Sequence, residues 1–247
     1  MNRIFKSVLV GVAAASMALI GTGAATASQV SSGKAAPEII GGTKSADRPS
    51  AVQLVFKQGG AYRGCTGTAI AASWVLTAKH CIDSVSDMTV YYSTSSTNRG
   101  PAIKADRLYP APQGDVALLH LATPKPLADG YPVVASGRTP TANTKGIIYG
   151  FGLRANSVAS DGLYQANVTV TGPGVDGYNA PAFSIKGDNG ASNVGDSGGP
   201  LFIGGTIAGV LSVGDVSNPG ADIHAKSRYT NATTTVIRNW IKTTSGA

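Results

Sequence analysis

Cysteine, glutamate and aromatic residues are scarce in this chain of 247 residues, and each scarcity excludes something. Only two cysteines occur, Cys65 and Cys81. That rules out a small disulfide-dense scaffold, and two thiols without companion ligands make a poor zinc site. Charged residues are only 13% of the chain and aromatic ones 6%, and the basic residues are scattered rather than clustered. With no basic run and no interleaved aromatics, nucleic-acid binding has no support. The net charge of +7 then favours solubility, with at most loose attraction to anionic surfaces. No second long apolar run follows the one near the start, and there is no internal repeat or heptad. Glutamate occurs once, at Glu38.

The chain opens with Arg3 and Lys6, then an apolar stretch over 8–20, then Ala25-Thr26-Ala27. A basic start, an apolar centre and a small-residue cleavage site form a secretory signal, assigned to residues 1–27. The stretch is shorter than the roughly 20 apolar residues a membrane span needs. A secreted product with no membrane partner is therefore expected. The polar segment 28–38 reads as a propeptide. Removing the first 38 of 247 residues leaves 209 and takes away Arg3, Lys6, Lys34 and Glu38, so the net charge falls from +7 to +5. That length suits one large β domain or two small barrels. In an exported chain, pairing of Cys65 with Cys81 is the default, and such a loop adds roughly 3 kcal/mol.

The mature region reads as all-β. Short runs rich in Val, Ile, Thr and Tyr recur between Gly, Pro, Asn, Asp and Ser, at 51–56, 66–70, 74–77, 88–92, 116–121, 146–149, 165–170 and 206–213. Regularly spaced short strands suggest a sandwich or barrels. Ala122-Thr123-Pro124-Lys125-Pro126 looks like a linker, which would divide the region into halves of about 39–125 and 126–232. One helix is expected at about 233–243, because Val236, Ile237, Trp240 and Ile241 fall on one helical face.

Gly195-Asp196-Ser197-Gly198-Gly199-Pro200 is the most informative segment. Turn residues bracket a serine that follows an acid. Glycine permits backbone angles closed to other residues and close approach to a substrate, so the hydroxyl can stand on a sharp bend with N–H groups aimed at a reacting carbonyl. Alone, the segment reads equally as a surface turn. Three others precede it. Thr77-Ala78-Lys79-His80-Cys81 puts a histidine beside a cysteine at a strand end. Gly114-Asp115-Val116-Ala117-Leu118-Leu119 puts an acid at a strand start, and Glu38-Ile39-Ile40-Gly41-Gly42 offers a new amino terminus. His120 has no motif and is read as structural. Asp83 and Asp87 could share a cation loop, but two acids without companions are read as solvated.

In this order the four segments resemble the chymotrypsin-like serine proteases. Gly150-Phe151-Gly152 and Leu211-Ser212-Val213-Gly214 also resemble segments of that family. The resemblance covers the chain from Ile39 to the terminal helix. It implies two antiparallel six-stranded β-barrels with a C-terminal α-helix, and a secreted, monomeric serine endopeptidase that needs no cofactor or metal. His80 would be the general base, Asp115 the acid orienting it and Ser197 the nucleophile. A serine hydroxyl needs an adjacent base, and an imidazole titrating near 6.5 can take its proton and return it. The N–H groups of Gly195 and Ser197 would form the oxyanion hole. Ser212, Val213 and Gly214 would pair with substrate main chain as an added strand. Polypeptide substrates are the implied partners, with protein protease inhibitors as a further class.

The resemblance also implies activation by processing, with the freed Ile39 amine pairing with Asp196. Glu38, not Lys or Arg, precedes the cut. Ala191 takes the pocket-floor position where trypsin-like members carry an acid, which disfavours cleavage after Lys or Arg. An ungapped count puts His224 and Lys226 on the pocket wall and base, with Ser192 beside them. Basic side chains there would prefer a substrate carboxylate, and Glu38 would then be a self-processing site. If they point to solvent, a neutral pocket for apolar or small residues results. The family usually has more disulfides near the pocket. Lys79 replaces a small residue and is tolerated if its stem reaches solvent. A catalytically silent binding protein and an esterase-like hydrolase are the alternatives from other classes.

Overall fold

Aliphatic alternation, not aromatic bulk, organises the chain into strands. The computed structural model describes residues 39–45, 48–136, 139–214 and 221–247, so the expected signal and propeptide lie outside the described residues. Two short strands, β1 (Ile40–Gly41) and β2 (Thr43–Lys44), come first. They precede β3 (Ala51–Gln58), β4 (Ala61–Ala71), β5 (Trp74–Thr77), β6 (Val85–Tyr91), β7 (Ile103–Pro110) and β8 (Ala117–Leu121). These six close into an antiparallel barrel in the order β3-β4-β5-β8-β7-β6. Val52, Leu54, Val75, Leu76, Leu118 and Leu119 belong to the larger hydrophobic core, each at most 1% exposed. Full burial of such a side chain is worth roughly 1.5–3 kcal/mol.

The second half holds β9 (Lys145–Gly150), β10 (Tyr164–Val175), β11 (Pro181–Gly187), β12 (Gly190–Ala191), β13 (Pro200–Ile203), β14 (Thr206–Gly214) and β15 (Lys226–Asn231). Six of them close a second antiparallel barrel, β10-β11-β15-β14-β13-β9, sealed by the β9–β10 and β10–β11 pairings. β2 adds to β10 outside the ring, and β1 pairs with β12 through Ile40 opposite Ala191. Ile148, Val168, Ile185, Leu211 and Tyr229 form its core together with Ile39. Closure leaves neither barrel with a long free edge.

All eight expected strands fall on observed ones, and four barrel strands had no sequence signal. β7 carries Lys104, Asp106 and Arg107, and β11 opens on Pro181. β13 follows directly on the serine loop. β15 reads Lys-Ser-Arg-Tyr-Thr-Asn, and its buried residues Ser227, Tyr229, Thr230 and Asn231 are mostly polar. Hydroxyls and amides satisfied inside a barrel hide a strand from hydrophobic alternation.

The helix α1 spans Thr235–Ser245. The Thr234 side chain caps it by accepting the Ile237 N–H, and Gly246 ends it in the left-handed conformation, φ 78°. Ile237 and Ile241 are buried against the larger core, with Trp240 packed on it. Val236, expected on the same face, is 49% exposed instead. At about 100° per residue it lies a full step from Ile237, on the stripe's outer edge.

Candidate active site

The register of β5 and β8 brings the first two site residues together. Thr77 lies opposite Ala117, so the residues after β5 and before β8 emerge at the same end. His80 sits there in a short 3-10 turn, Lys79–Cys81. The disulfide Cys65–Cys81 ties that turn to β4, with 6.3 Å between Cα atoms. Asp115 is 1% exposed. Its Oδ2 is 2.7 Å from His80 Nδ1, and its Oδ1 accepts the His80 backbone N–H at 2.9 Å. A carboxylate on Nδ1 makes that nitrogen the donor and leaves Nε2 free for proton exchange.

Ser197 arrives from the second barrel on the loop before β13. Its carbonyl accepts the Thr66 N–H at 2.8 Å. The next residue, Gly198, has φ +79°, and a Cβ there would stand 2.1 Å from Thr77 Oγ1 and 2.8 Å from the Ala78 nitrogen. Only glycine fits so tight and left-handed an approach. The serine loop therefore rests on the two residues that lead to Lys79 and His80. Among the described residues no hydrogen bond joins the Ser197 hydroxyl to His80; Ser197 itself is held through its backbone carbonyl.

Three N–H groups of that loop are used internally. Asp196 donates to the Asn193 carbonyl at 3.1 Å, Gly198 to Leu211 at 2.9 Å and Gly199 to Asp196 at 2.8 Å. The N–H groups of Gly195 and Ser197 have no acceptor among the described residues. Thr66 steadies the loop from the first barrel, its hydroxyl donating to the Gly195 carbonyl at 3.0 Å. Thr66 was missed in the sequence, where it reads only as a strand residue.

Asp196 itself is 1% exposed. One oxygen accepts the Gly152 N–H at 2.7 Å and the other the Asn193 N–H at 2.8 Å. Burial outweighs these bonds and pushes its carboxyl up to about 7. Among the described residues no basic side chain pairs with it. Ile39 is equally buried, in the second core, next to the β1–β12 pairing.

The expected pocket residues separate into two groups. Ala191 and Ser192 are buried, and among the described residues the Ser192 hydroxyl has no partner at bonding distance; its polar neighbour is the Tyr229 phenol. Burial, with the Asp196 charge adding to it, pushes that phenol well up. Beyond Leu211, β14 stays paired with β15 through Val213 and Gly214, while β13 reaches only Val210. One edge of Ser212, Val213 and Gly214 thus carries no strand among the described residues. His224 and Lys226 lie elsewhere than the ungapped count put them. The β14–β15 register, shifted by an irregularity between Leu211 and Val213, sets Ser227 opposite Gly214. Lys226 is exposed opposite Lys186 on β11. His224 is also exposed, with Nδ1 2.9 Å from the Gly187 carbonyl. Counting failed because a loop and a bulge stand between the two strands. Tyr229 and Ser227 were missed for the same reason.

The remaining acids and histidines have other partners. Asp87 pairs with Lys57 at 3.0 Å and Asp83 meets the Tyr178 phenol, so they do not converge. His120 Nδ1 lies 2.6 Å from Asp106, whose carboxyl this contact holds below its usual range, and its ring meets Trp74 edge-on. The Lys79 ammonium stands 4.9 Å over the Tyr178 ring. Cys65, His80 and Cys81 cluster, but both sulfurs are spent on the disulfide. No described helix is long and apolar enough to cross a membrane.

Comparison with known proteins gives a consistent family. The trypsin family profile matches residues 39–241. An uncharacterized peptidase of Corynebacterium glutamicum is 32% identical over 164 residues, covering 64% of this chain and 56% of its own length. The chain thus spans little over half of that relative. Trypsin Blo t 3 of Blomia tropicalis is 30% identical over 207 residues, covering 71% of this chain and 76% of its own. Among solved structures, neuropsin, a serine protease expressed in the limbic system of mouse brain, superposes with TM-score 0.63 at 26% identity, covering 81% of this chain and 95% of its own. An inactivated protease paralogue of the scabies mite has TM-score 0.70 at 22% identity, covering 83% and 97% respectively, a likeness of fold alone.

Proposed function

Because the chain belongs to the trypsin family of chymotrypsin-like serine proteases, we propose that it is a secreted serine endopeptidase, made as a precursor and activated by a cut before Ile39. One observation carries this reading: an imidazole bonded to a buried carboxylate stands beside a serine loop in which two N–H groups lack acceptors among the described residues. Ser197 Oγ attacks the scissile carbonyl as His80 Nε2 takes its proton, and the N–H groups of Gly195 and Ser197 receive the developing oxyanion. His80 then returns the proton to the leaving amine. Water repeats the cycle on the acyl-enzyme. Each oxyanion donor is typically worth about 3–4 kcal/mol of barrier. Asp115 keeps the imidazole in the productive tautomer.

A catalytically silent member, such as the scabies mite paralogue is described to be, would share the fold. The intact His80–Asp115 pair favours turnover instead. Labelling of Ser197 by an organophosphate or a sulfonyl fluoride is expected; an unlabelled, processed chain would sink the assignment. Casein turnover set against simple ester turnover separates a peptidase from an esterase.

Specificity follows from Ala191 and from the outward direction of His224 and Lys226. With Ala191 on the floor and, among the described residues, no cation aimed at it, the pocket favours apolar or small side chains, and the bond after Glu38 is then cut by another protease. A peptide library read with the processed enzyme tests this: dominant cleavage after Glu restores the carboxylate-binding pocket, and cleavage after Lys or Arg rejects both.

A further inference from the structure

The turn 176–180 joins β10 to β11 in the second barrel, yet its acid grips the acid of the first. Asp176 Oδ2 accepts the backbone N–H of Asp115 at 2.8 Å and the Thr230 hydroxyl at 2.8 Å. Oδ1 accepts the N–H groups of Tyr178 at 2.8 Å and Ala180 at 2.9 Å. Asp176 is 3% exposed. The following residue, Gly177, donates its N–H to Ser212 Oγ at 3.0 Å. The Tyr178 phenol meets Asp83, just past the His80 turn, and its ring lies under Lys79.

The bonds of Asp176 divide by purpose. Those to Tyr178 and Ala180 close the turn, as a short acid commonly does. Those from Asp115 and Thr230 contribute nothing to the turn and come from the segment before β8 and from β15. A buried carboxylate is costly unless its hydrogen bonds are complete, and of the four here one comes from Asp115 in the first barrel and one from Thr230 on β15. Gly114 shows how close the approach is. It has φ +79°, and a Cβ there would lie 3.1 Å from Asp176 Oδ2 and 2.9 Å from Thr230 Cγ2.

We propose that Asp176 is a positioning residue for catalysis: it fixes the Asp115 backbone so that both carboxylate oxygens stay on His80, and so locks the imidazole to the barrel that brings Ser197. This rests on His80, Asp115 and Ser197 being the reacting set. The two bonds from Asp115 to His80, one to the ring and one to the backbone, require a single orientation of residue 115. Releasing its N–H lets the acid tilt, and the imidazole with it.

The test compares the processed full chain with Asp176→Asn and Asp176→Ala, with turnover normalised to sites titrated by an organophosphate. The amide cannot accept on both sides, and alanine accepts on neither. Expected are falls in kcat per titrated site of about tenfold for Asn and about a hundredfold for Ala, the scale of small misplacements, with KM within about twofold. Wild-type kcat per titrated site, with only a lower melting temperature or fewer titratable sites, would overturn the proposal and leave Asp176 a stability residue. If neither variant folds, Thr230→Val withdraws one donor and keeps the carboxylate. A fall of about threefold in kcat at unchanged KM is then expected on the same scale, and wild-type kcat overturns the proposal. A wild-type chain that cannot be titrated refutes the peptidase reading itself, which separates the two failures.

Discussion

The two barrels hold their shares of the site by different means. In the first, a disulfide fixes the His80 turn to β4, strand register delivers Asp115, and both oxygens of that acid land on one residue. None of these links involves Ile39. In the second, the serine loop is built around Asp196, a buried acid with two N–H donors and, among the described residues, no basic partner. The proton-handling pair is thus a finished piece of the fold. The serine loop instead carries a buried charge that, on the proposed activation, a freed Ile39 amine would pair with, and control by processing would then rest with the second barrel.

Removing the nucleophile tests the contrast most severely. Ser197→Ala is expected to cut turnover by at least about ten-thousandfold without disturbing the His80–Asp115 contact, with peptide turnover and an NMR spectrum of the imidazole as readouts. Next is a mature chain extended by one residue before Ile39. It should lose roughly a thousandfold in kcat/KM, the scale of forfeiting one oxyanion-hole donor. Full activity there would make the second barrel as self-sufficient as the first.

The third outcome concerns pH. The Asp196 carboxyl is raised from 3.8 to about 7 by burial in the folded chain. Between those values the folded state holds a proton that the unfolded state has released. The stabilising contribution is full below the lower value and is lost as pH rises through the upper one. Across that window the uncut chain should lose on the order of 4 kcal/mol relative to its Asp196→Asn variant, while the cut chain should lose much less. Melting curves from pH 4 to pH 8 measure this, and parallel curves for cut and uncut chains would remove the charge argument. The smallest effect is expected in the first barrel: Cys65→Ser with Cys81→Ser should cost roughly 3 kcal/mol, read by denaturant unfolding, with the catalytic pair still formed in the folded fraction.

Legibility in the sequence followed the kind of signal each feature leaves. Strands with aliphatic alternation, such as β3 and β8, were plain, and so was the helix. β15 was not, since its inward residues are Ser227, Tyr229 and Thr230 and its cost is met by hydrogen bonding rather than by hydrophobicity. His80, Asp115 and Ser197 stood out in the sequence only through the four ordered segments that resemble the family, since each alone reads equally as a structural or turn residue. His224 and Lys226 were misplaced because counting assumes an unbroken register, and the bulge at Leu211–Val213 breaks it. Asp176 drew no reading at all, because a lone acid among turn residues leaves no motif.

By itself the sequence determined what short-range chemistry dictates: strand alternation, the apolar face of the terminal helix, a cysteine pair, and glycines where the serine bend permits no side chain. Only the tertiary structure decided which N–H groups stay free, which acid is stripped of water, and which turn reaches across to steady Asp115. Those outcomes depend on residues dozens of positions apart being pressed together by barrel closure, and hydrogen bonds that span such distances leave no periodic trace along the chain.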